Sequence, residues 1–178
     1  MRMNTAIDSL RSLIRTRQIR EFTSEPVAEE LLGALAEVAR WTGSGGNSQP
    51  SRFVVVRDEP VIRRVAVIAM PQTRALQTAM AALAISLPTD PEGEVIGAYD
   101  EGRVAERILV GASILGLGAG ITWIKPQFRS EIEGLLGVGD DRFVRTIIAI
   151  GHPTEAAQAY RSAPGQARLP LDQLVTWR

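Results

Sequence analysis

Residues 43–50, Gly43-Ser44-Gly45-Gly46-Asn47-Ser48-Gln49-Pro50, run almost directly into Arg52-Phe53-Val54-Val55-Val56. Glycines, small polar residues and a proline mark an irregular connection, and the β-branched run behind them predicts a short strand. Upstream, Leu31, Leu32, Leu35 and Val38 recur at helical spacing, with Glu29 and Glu30 in the first turn and Gly43 placed to stop the helix. The stretch is therefore a helix-to-strand junction. One glycine suffices for such a junction. Three glycines beside the carboxamides of Asn47 and Gln49, which both donate and accept, tilt the reading towards a ligand loop over a plain connection.

Working outward, Ile7, Leu10, Leu13 and Ile14 predict a first amphipathic helix that ends among arginines before Phe22. Val61, Val65 and Ile68 fit a third helix, and the apolar run from Ala79 to Leu87 reads as a second strand. Pro88 to Gly97 reads as a surface loop. The longest helix is expected from about Asp100 to Leu117, with Val104, Ile108, Leu109, Ala112 and Leu115 inward. Ile121 to Ile124 and Phe143 to Ile150 complete the strands, and a helix carrying Phe128, Ile132, Leu135 and Leu136 closes at Gly137. Strands that do not alternate regularly with single helices describe an α+β layer fold.

The chain has 178 residues, the size of one domain, and its 20 basic side chains balance its 20 acidic ones. That balance gives neither nucleic acid nor a membrane surface a field to select. The absence of cysteine excludes thiolate nucleophiles and Cys-ligated metals. The first residues, Met1 to Arg11, alternate polar and apolar, include Asp8 and make neither a signal-peptide core nor a span, so a cytoplasmic chain is expected. His152 is the one histidine, and no acidic cluster stands beside it at metal-ligand spacing. Ser44 lacks the glycine two residues before it that a nucleophile elbow requires, and Lys125 has no phosphate-loop glycines before it. Gly116-Leu117-Gly118-Ala119-Gly120 follows a helix and has the wrong spacing for a dinucleotide fingerprint, so it reads as a helix stop and tight turn. A chain so poor in reactive side chains has the profile of an enzyme whose cofactor does the chemistry.

Arg11, Arg15, Arg17 and Arg20 gather at the end of the first helix. Guanidinium forks there suit a phosphate, but cations at a helix C-terminus also simply complement the macrodipole. The tail residues Leu171, Leu174, Val175 and Trp177 have no local core, which is the first hint of a partner surface.

Taken in order, Arg17-Gln18-Ile19-Arg20-Glu21-Phe22, Pro26-Val27, the Gly-Ser-Gly-Gly-Asn-Ser-Gln-Pro loop before its strand, Tyr99-Asp100, Gly116-Leu117-Gly118 and Gly151-His152-Pro153 resemble the nitroreductase family. The resemblance spans nearly the whole chain. It implies a three-layer α+β sandwich, a mostly antiparallel central sheet flanked by helices, as one domain over 1–178 with the tail 164–178 packed on a partner subunit. It also implies a homodimer with FMN in each of two interfacial clefts, reduced by NADH or NADPH and emptied by a nitroaromatic, quinone or similar small acceptor in ping-pong fashion. The resemblance assigns Arg17, Gln18 and Arg20, with Arg168 of the tail, to the FMN phosphate and ribityl region. It assigns Ser44, Gly45 and Asn47 to the flavin from the partner, and the backbone of Trp123, Ile124 and Lys125 to the redox edge of the ring. No side chain is expected to be catalytic, and no metal is expected. Four positions depart from the family pattern. Thr16 stands where a first paired arginine is common, Gln18 where serine is usual, and Ser51 where tryptophan often follows the loop. Pro126, after Lys125, has no N–H to give a flavin. The alternative expectation is a flavin-binding sensor, carrier or partner-binding module on the same scaffold, without nicotinamide turnover.

Overall fold

The computed structural model describes residues 10–90, 94–159 and 168–178. Ile7, assigned above to the first helix, and residues 164–167 of the tail lie outside them. In chain order the elements are α1 (Arg11–Arg15), α2 (Glu29–Arg40), β1 (Arg52–Val56), α3 (Glu59–Ile68), β2 (Ala81–Pro88), α4 (Glu94–Ile114), β3 (Gly118–Trp123), α5 (Pro126–Leu136), β4 (Arg142–Gly151), α6 (Glu155–Ala159) and α7 (Leu171–Leu174). Short 3₁₀ turns occupy Gly45–Asn47 and Arg74–Gln77.

The strands form one open sheet in the order β1-β2-β4-β3, and each neighbouring pair is antiparallel. Side chains alternate across a sheet, so β2 and β4, in the centre, feed both faces. On one face Ala82, Ala84, Val144, Ile147 and Ala149 pack with Ile62 and Val65 of α3 and Ile132 of α5. On the other, Leu83, Ile85, Ile148 and Ile150 pack with Leu32 and Leu35 of α2 and Val104, Ile108 and Ala112 of α4. The result is the three-layer α+β sandwich expected from the sequence.

Two helix ends follow local chemistry closely. After α4, Gly116 adopts φ +75, its N–H donates to Ser113 O, and Leu117 N–H donates to Ala112 O at 2.8 Å. After α5, Gly137 adopts φ +66 and Val138 N–H donates to Glu133 O at 2.9 Å. Both are Schellman closures, in which a left-handed glycine lets two amides satisfy orphan carbonyls.

Three sequence expectations need correction. Helix α4 begins at Glu94, so part of the expected Pro88–Gly97 loop is helical. Val95, Ile96 and Tyr99 in its first turns are exposed, so these turns carry no inward stripe for periodicity to detect. Leu115 is more than a third exposed, because the helix has already ended at Ile114. Strand β3 begins at Gly118 rather than Ile121, so Gly118-Ala119-Gly120 is strand and Gly116 alone makes the turn. The cause is tertiary: the segment before Phe22 lies against these small residues, and a Cβ on Gly120 would sit 2.3 Å from Ile19 O.

Candidate functional site

Strand β3 is an edge, and residues 17–20 run along it. Ile19 N–H donates to Ala119 O at 2.8 Å, while Gln18 Oε1 accepts from Ile121 N–H at 3.2 Å. The same Gln18 oxygen accepts from Arg20 Nη2 at 3.2 Å, so one carboxamide ties the arginine to the strand edge. Arg17 Nη2 donates to the carbonyls of Ala157 and Gln158 at the end of α6. Its fork therefore holds the start of the C-terminal segment.

Arg17, Gln18, Ile19, Arg20 and Glu21 line a cleft of about 400 Å³, closed on its far sides by Arg74, Ala156 and Ala157. Arg74 was not legible as a site residue. It lies in the 3₁₀ turn before β2, far from the first helix in sequence, and its side chain has no polar partner among the described residues. Three arginines from two separate segments thus line one concave space. That donor set suits the phosphate of an organic cofactor, since forked cations bind it by charge-assisted hydrogen bonds.

Trp123, Ile124 and Lys125 form the junction from β3 into α5, at one end of the same edge strand. Pro126 opens α5, where its missing N–H costs nothing because first-turn amides have no intrahelical partner. Ile124 is fully buried, its N–H donates to Arg145 O at 2.8 Å, and its carbonyl accepts from Arg129 Nε at 3.4 Å. Trp123 is 49 % exposed. Beneath it, the Arg145 guanidinium lies 5.6 Å from the ring centroid and bonds Glu101 Oε2 through Nε at 2.8 Å. Sequence reading missed this pair, although Glu101 stands four residues before the inward Ala105 and so extends the buried stripe of α4.

Ser44, Gly45 and Asn47 are brought together with one another but not with the arginine cleft. They precede β1, the opposite edge of the sheet, and three strand spacings of about 4.8 Å separate β1 from β3. Their loop is firmly shaped. Ser44 Oγ accepts from Gln49 N–H at 2.8 Å, Gly45 N–H donates to Asp100 Oδ2 at 3.1 Å, and Arg142 Nη2 donates to Pro50 O at 2.5 Å. Burial first, then the like charge of Arg52, lower the pKa of Arg142 below its ordinary value. Gly46, Asn47 and Gln49 all have positive φ, which presents their polar groups on a tight, exposed knuckle. Arg168 is exposed in the tail and is not among the residues that line the arginine cleft.

Within one chain, then, the two groups of residues lie at opposite edges of the sheet. Exposed apolar residues include Leu13, Ile14, Tyr99 and Ile114 of α1 and α4, and Leu171, Leu174 and Trp177 of the tail.

Residues 13–91 match the model of the nitroreductase family. A protein of Archaeoglobus fulgidus, named for NADH dehydrogenase or NAD(P)H nitroreductase activity, is 25% identical over 163 residues, covering 87% of this chain and 91% of that one. An NADH dehydrogenase of Thermus thermophilus is 27% identical, with 97% of each chain covered. Among solved structures, one from Desulfovibrio desulfuricans, described as a nitroreductase in complex with FMN, superposes with a TM-score of 0.78 at 26% identity, covering 95% of each chain.

Proposed function

We propose that this chain is a member of the nitroreductase family, to which residues 13–91 and its relatives are similar, and an FMN-dependent oxidoreductase that passes hydride from NADH or NADPH to a small acceptor such as a nitroaromatic or a quinone. The observation that carries the reading is the cleft on the outer edge of β3, where Arg17, Gln18, Arg20 and Arg74 line one concave space of about 400 Å³. FMN, when bound, supplies a ring that accepts hydride from one molecule and returns it to another. The residues of the chain bind and orient. Arg20 and Arg74 hold the phosphate, Gln18 keeps Arg20 in place, and the Trp123–Lys125 junction borders the ring. Donor and acceptor take turns in the same space, which gives a ping-pong order.

In this reading the active unit is a homodimer, which the placement of the two groups of residues on opposite edges of one sheet supports. The loop carrying Ser44, Gly45 and Asn47 reaches the ring held by a second copy of the chain, and the apolar tail covers that copy's surface. Isolated apolar side chains on a surface are ordinary, but Leu13, Tyr99 and Ile114 line one exposed hollow together, and a grouped apolar surface supports an interface. Sedimentation of the full chain and of a chain ending at Ala167 tests this. The full chain should run as a dimer that holds FMN, and the truncated chain should lose both. A full chain that runs as a monomer and still binds FMN tightly would overturn the interfacial site.

Turnover is tested directly. The purified protein, supplied with FMN, should show a bound-flavin absorption spectrum and oxidise NADH or NADPH faster when a quinone is present. Flavin binding without any nicotinamide oxidation would replace the reductase with a binding module on the same scaffold. Among the described residues, no helix is long and apolar enough to cross a membrane.

A further inference from the structure

We propose that the buried Glu101–Arg145 ion pair is a positioning device that fixes Trp123 and the Trp123–Lys125 junction against the cofactor ring; this rests on the flavin reading above. Three independent features converge on Arg145. First, it is the extra residue of a β-bulge. Thr146 opposes Ile85 and Val144 opposes Ser86, so Arg145 is skipped in the β2–β4 register. A bulge re-aims a side chain and often does so beside active sites. Here it directs the guanidinium towards Glu101 of α4 and under the Trp123 indole.

Second, the pair is deeply buried, with side-chain exposures of 7% for Arg145 and 4% for Glu101. Both Nε and Nη2 of Arg145 donate to Glu101 Oε2, at 2.8 and 2.5 Å, and Oε1 has no partner. Taking two charges out of water costs so much that an apolar pair of similar volume commonly serves stability as well or better. Stability alone therefore gives a poor reason for this pair. Third, Arg145 grips the junction at two points. Its guanidinium lies 5.6 Å from the ring centroids of both Trp123 and Phe143, and its carbonyl accepts the Ile124 N–H at 2.8 Å. Side chain and main chain of one residue thus hold the side chain of Trp123 and the backbone that follows it.

The test uses the full chain in a Trp41→Phe/Trp177→Phe background, which leaves Trp123 as the one tryptophan. The paired change Glu101→Gln/Arg145→Met removes both charges and keeps the volume, and Arg145→Lys keeps the charge but loses the planar fork. In the flavin-free protein, quenching of Trp123 emission by acrylamide should rise about twofold or more in the paired variant while cooperative unfolding persists. Affinity for FMN and for riboflavin should fall together, by about fivefold or more, because the ring and not the phosphate has lost its support. Arg145→Lys should fall between the two. A folded paired variant with unchanged Trp123 quenching and unchanged affinity for both flavins would overturn the proposal. So would a loss confined to FMN. If the parent chain binds no flavin at all, the cofactor reading falls, while the acrylamide measurement, which needs no flavin, still decides whether the pair positions Trp123.

Discussion

The amide of Gly45 donates to Oδ2 of Asp100 at 3.1 Å, across 55 residues of sequence, and the next residue of the same helix is the Glu101 that pairs with Arg145. Two consecutive acids at the buried side of α4 therefore anchor two different segments: the loop before β1 and, through Arg145, the junction after β3. Asp100 also accepts from Arg103 at 3.3 Å, so its carboxylate is shared between the loop and its own helix. Asp100→Ala should cost about 1.5–3 kcal/mol of stability, the worth of hydrogen bonds to a charged group. Asp100→Asn keeps an acceptor and should cost less. Urea denaturation of both variants checks this, and equal stability of Asp100→Ala and the parent would mean that the loop is held without it.

Arg20 and Arg74 should separate phosphate from ring. Replacing either by alanine should weaken FMN by roughly tenfold to over a hundredfold, from about 1.5–3 kcal/mol of lost charge-assisted contact. Riboflavin, which has the ring but no phosphate, should be nearly unaffected. Calorimetric titration of both ligands is the measurement, and equal losses for the two would leave these arginines a structural role only.

Gly120 is constrained by space, whereas Gly137 is constrained by backbone conformation alone. A Cβ at 120 would meet Ile19 O at 2.3 Å, while Gly137 has φ +66 and nothing within 4 Å. Gly137→Ala should cost about 1–2 kcal/mol, the left-handed penalty of an L side chain, and leave FMN binding intact. Gly120→Ala must push residues 17–20 off the strand edge. It should cost about 1–3 kcal/mol and also lose FMN, because Arg20 moves with the segment. Melting temperature and FMN affinity measured on each variant tell the two apart.

Asn47 has φ +57, a conformation asparagine tolerates better than most residues. A leucine there would mix backbone strain with loss of the carboxamide. Asn47→Gly is the cleaner change, since glycine takes that φ freely. It should leave stability close to that of the parent. If the carboxamide meets the ring, FMN affinity should fall by about 1–3 kcal/mol and the flavin potential should move. Unchanged affinity and potential would retire Asn47 from the site.

Glu37 offers a pH test on an exposed patch. Hydrogen bonds from Arg40 first, then from the Trp41 indole at 2.7 Å, bring its carboxyl from an ordinary 4.5 down to about 2. A lowered folded-state value means that the contribution is complete above pH 4.5 and is lost as pH falls from there through about 2. Trp41 emission should change across that window in the parent and not in Glu37→Gln. High salt should narrow the difference, because the group is exposed.

Much of this protein was determined locally. The β-branched run at Phe53–Val56, the stripe of α2 and the glycine ends of α4 and α5 each follow from a few adjacent residues, because periodicity and helix capping are short-range effects. The first arginine segment and the polar loop were legible as candidates for the same reason. What the sequence left undecided concerns partners. Periodicity says which face of a segment is buried, but not what covers it. The early start of α4, the strand character of Gly118–Gly120, the entry of Arg74 into the cleft and the Glu101–Arg145 pair all depend on groups brought close only by the packed sheet. A buried charge costs too much to be placed by local preference, so its position is fixed only when the fold supplies the opposite charge beside it.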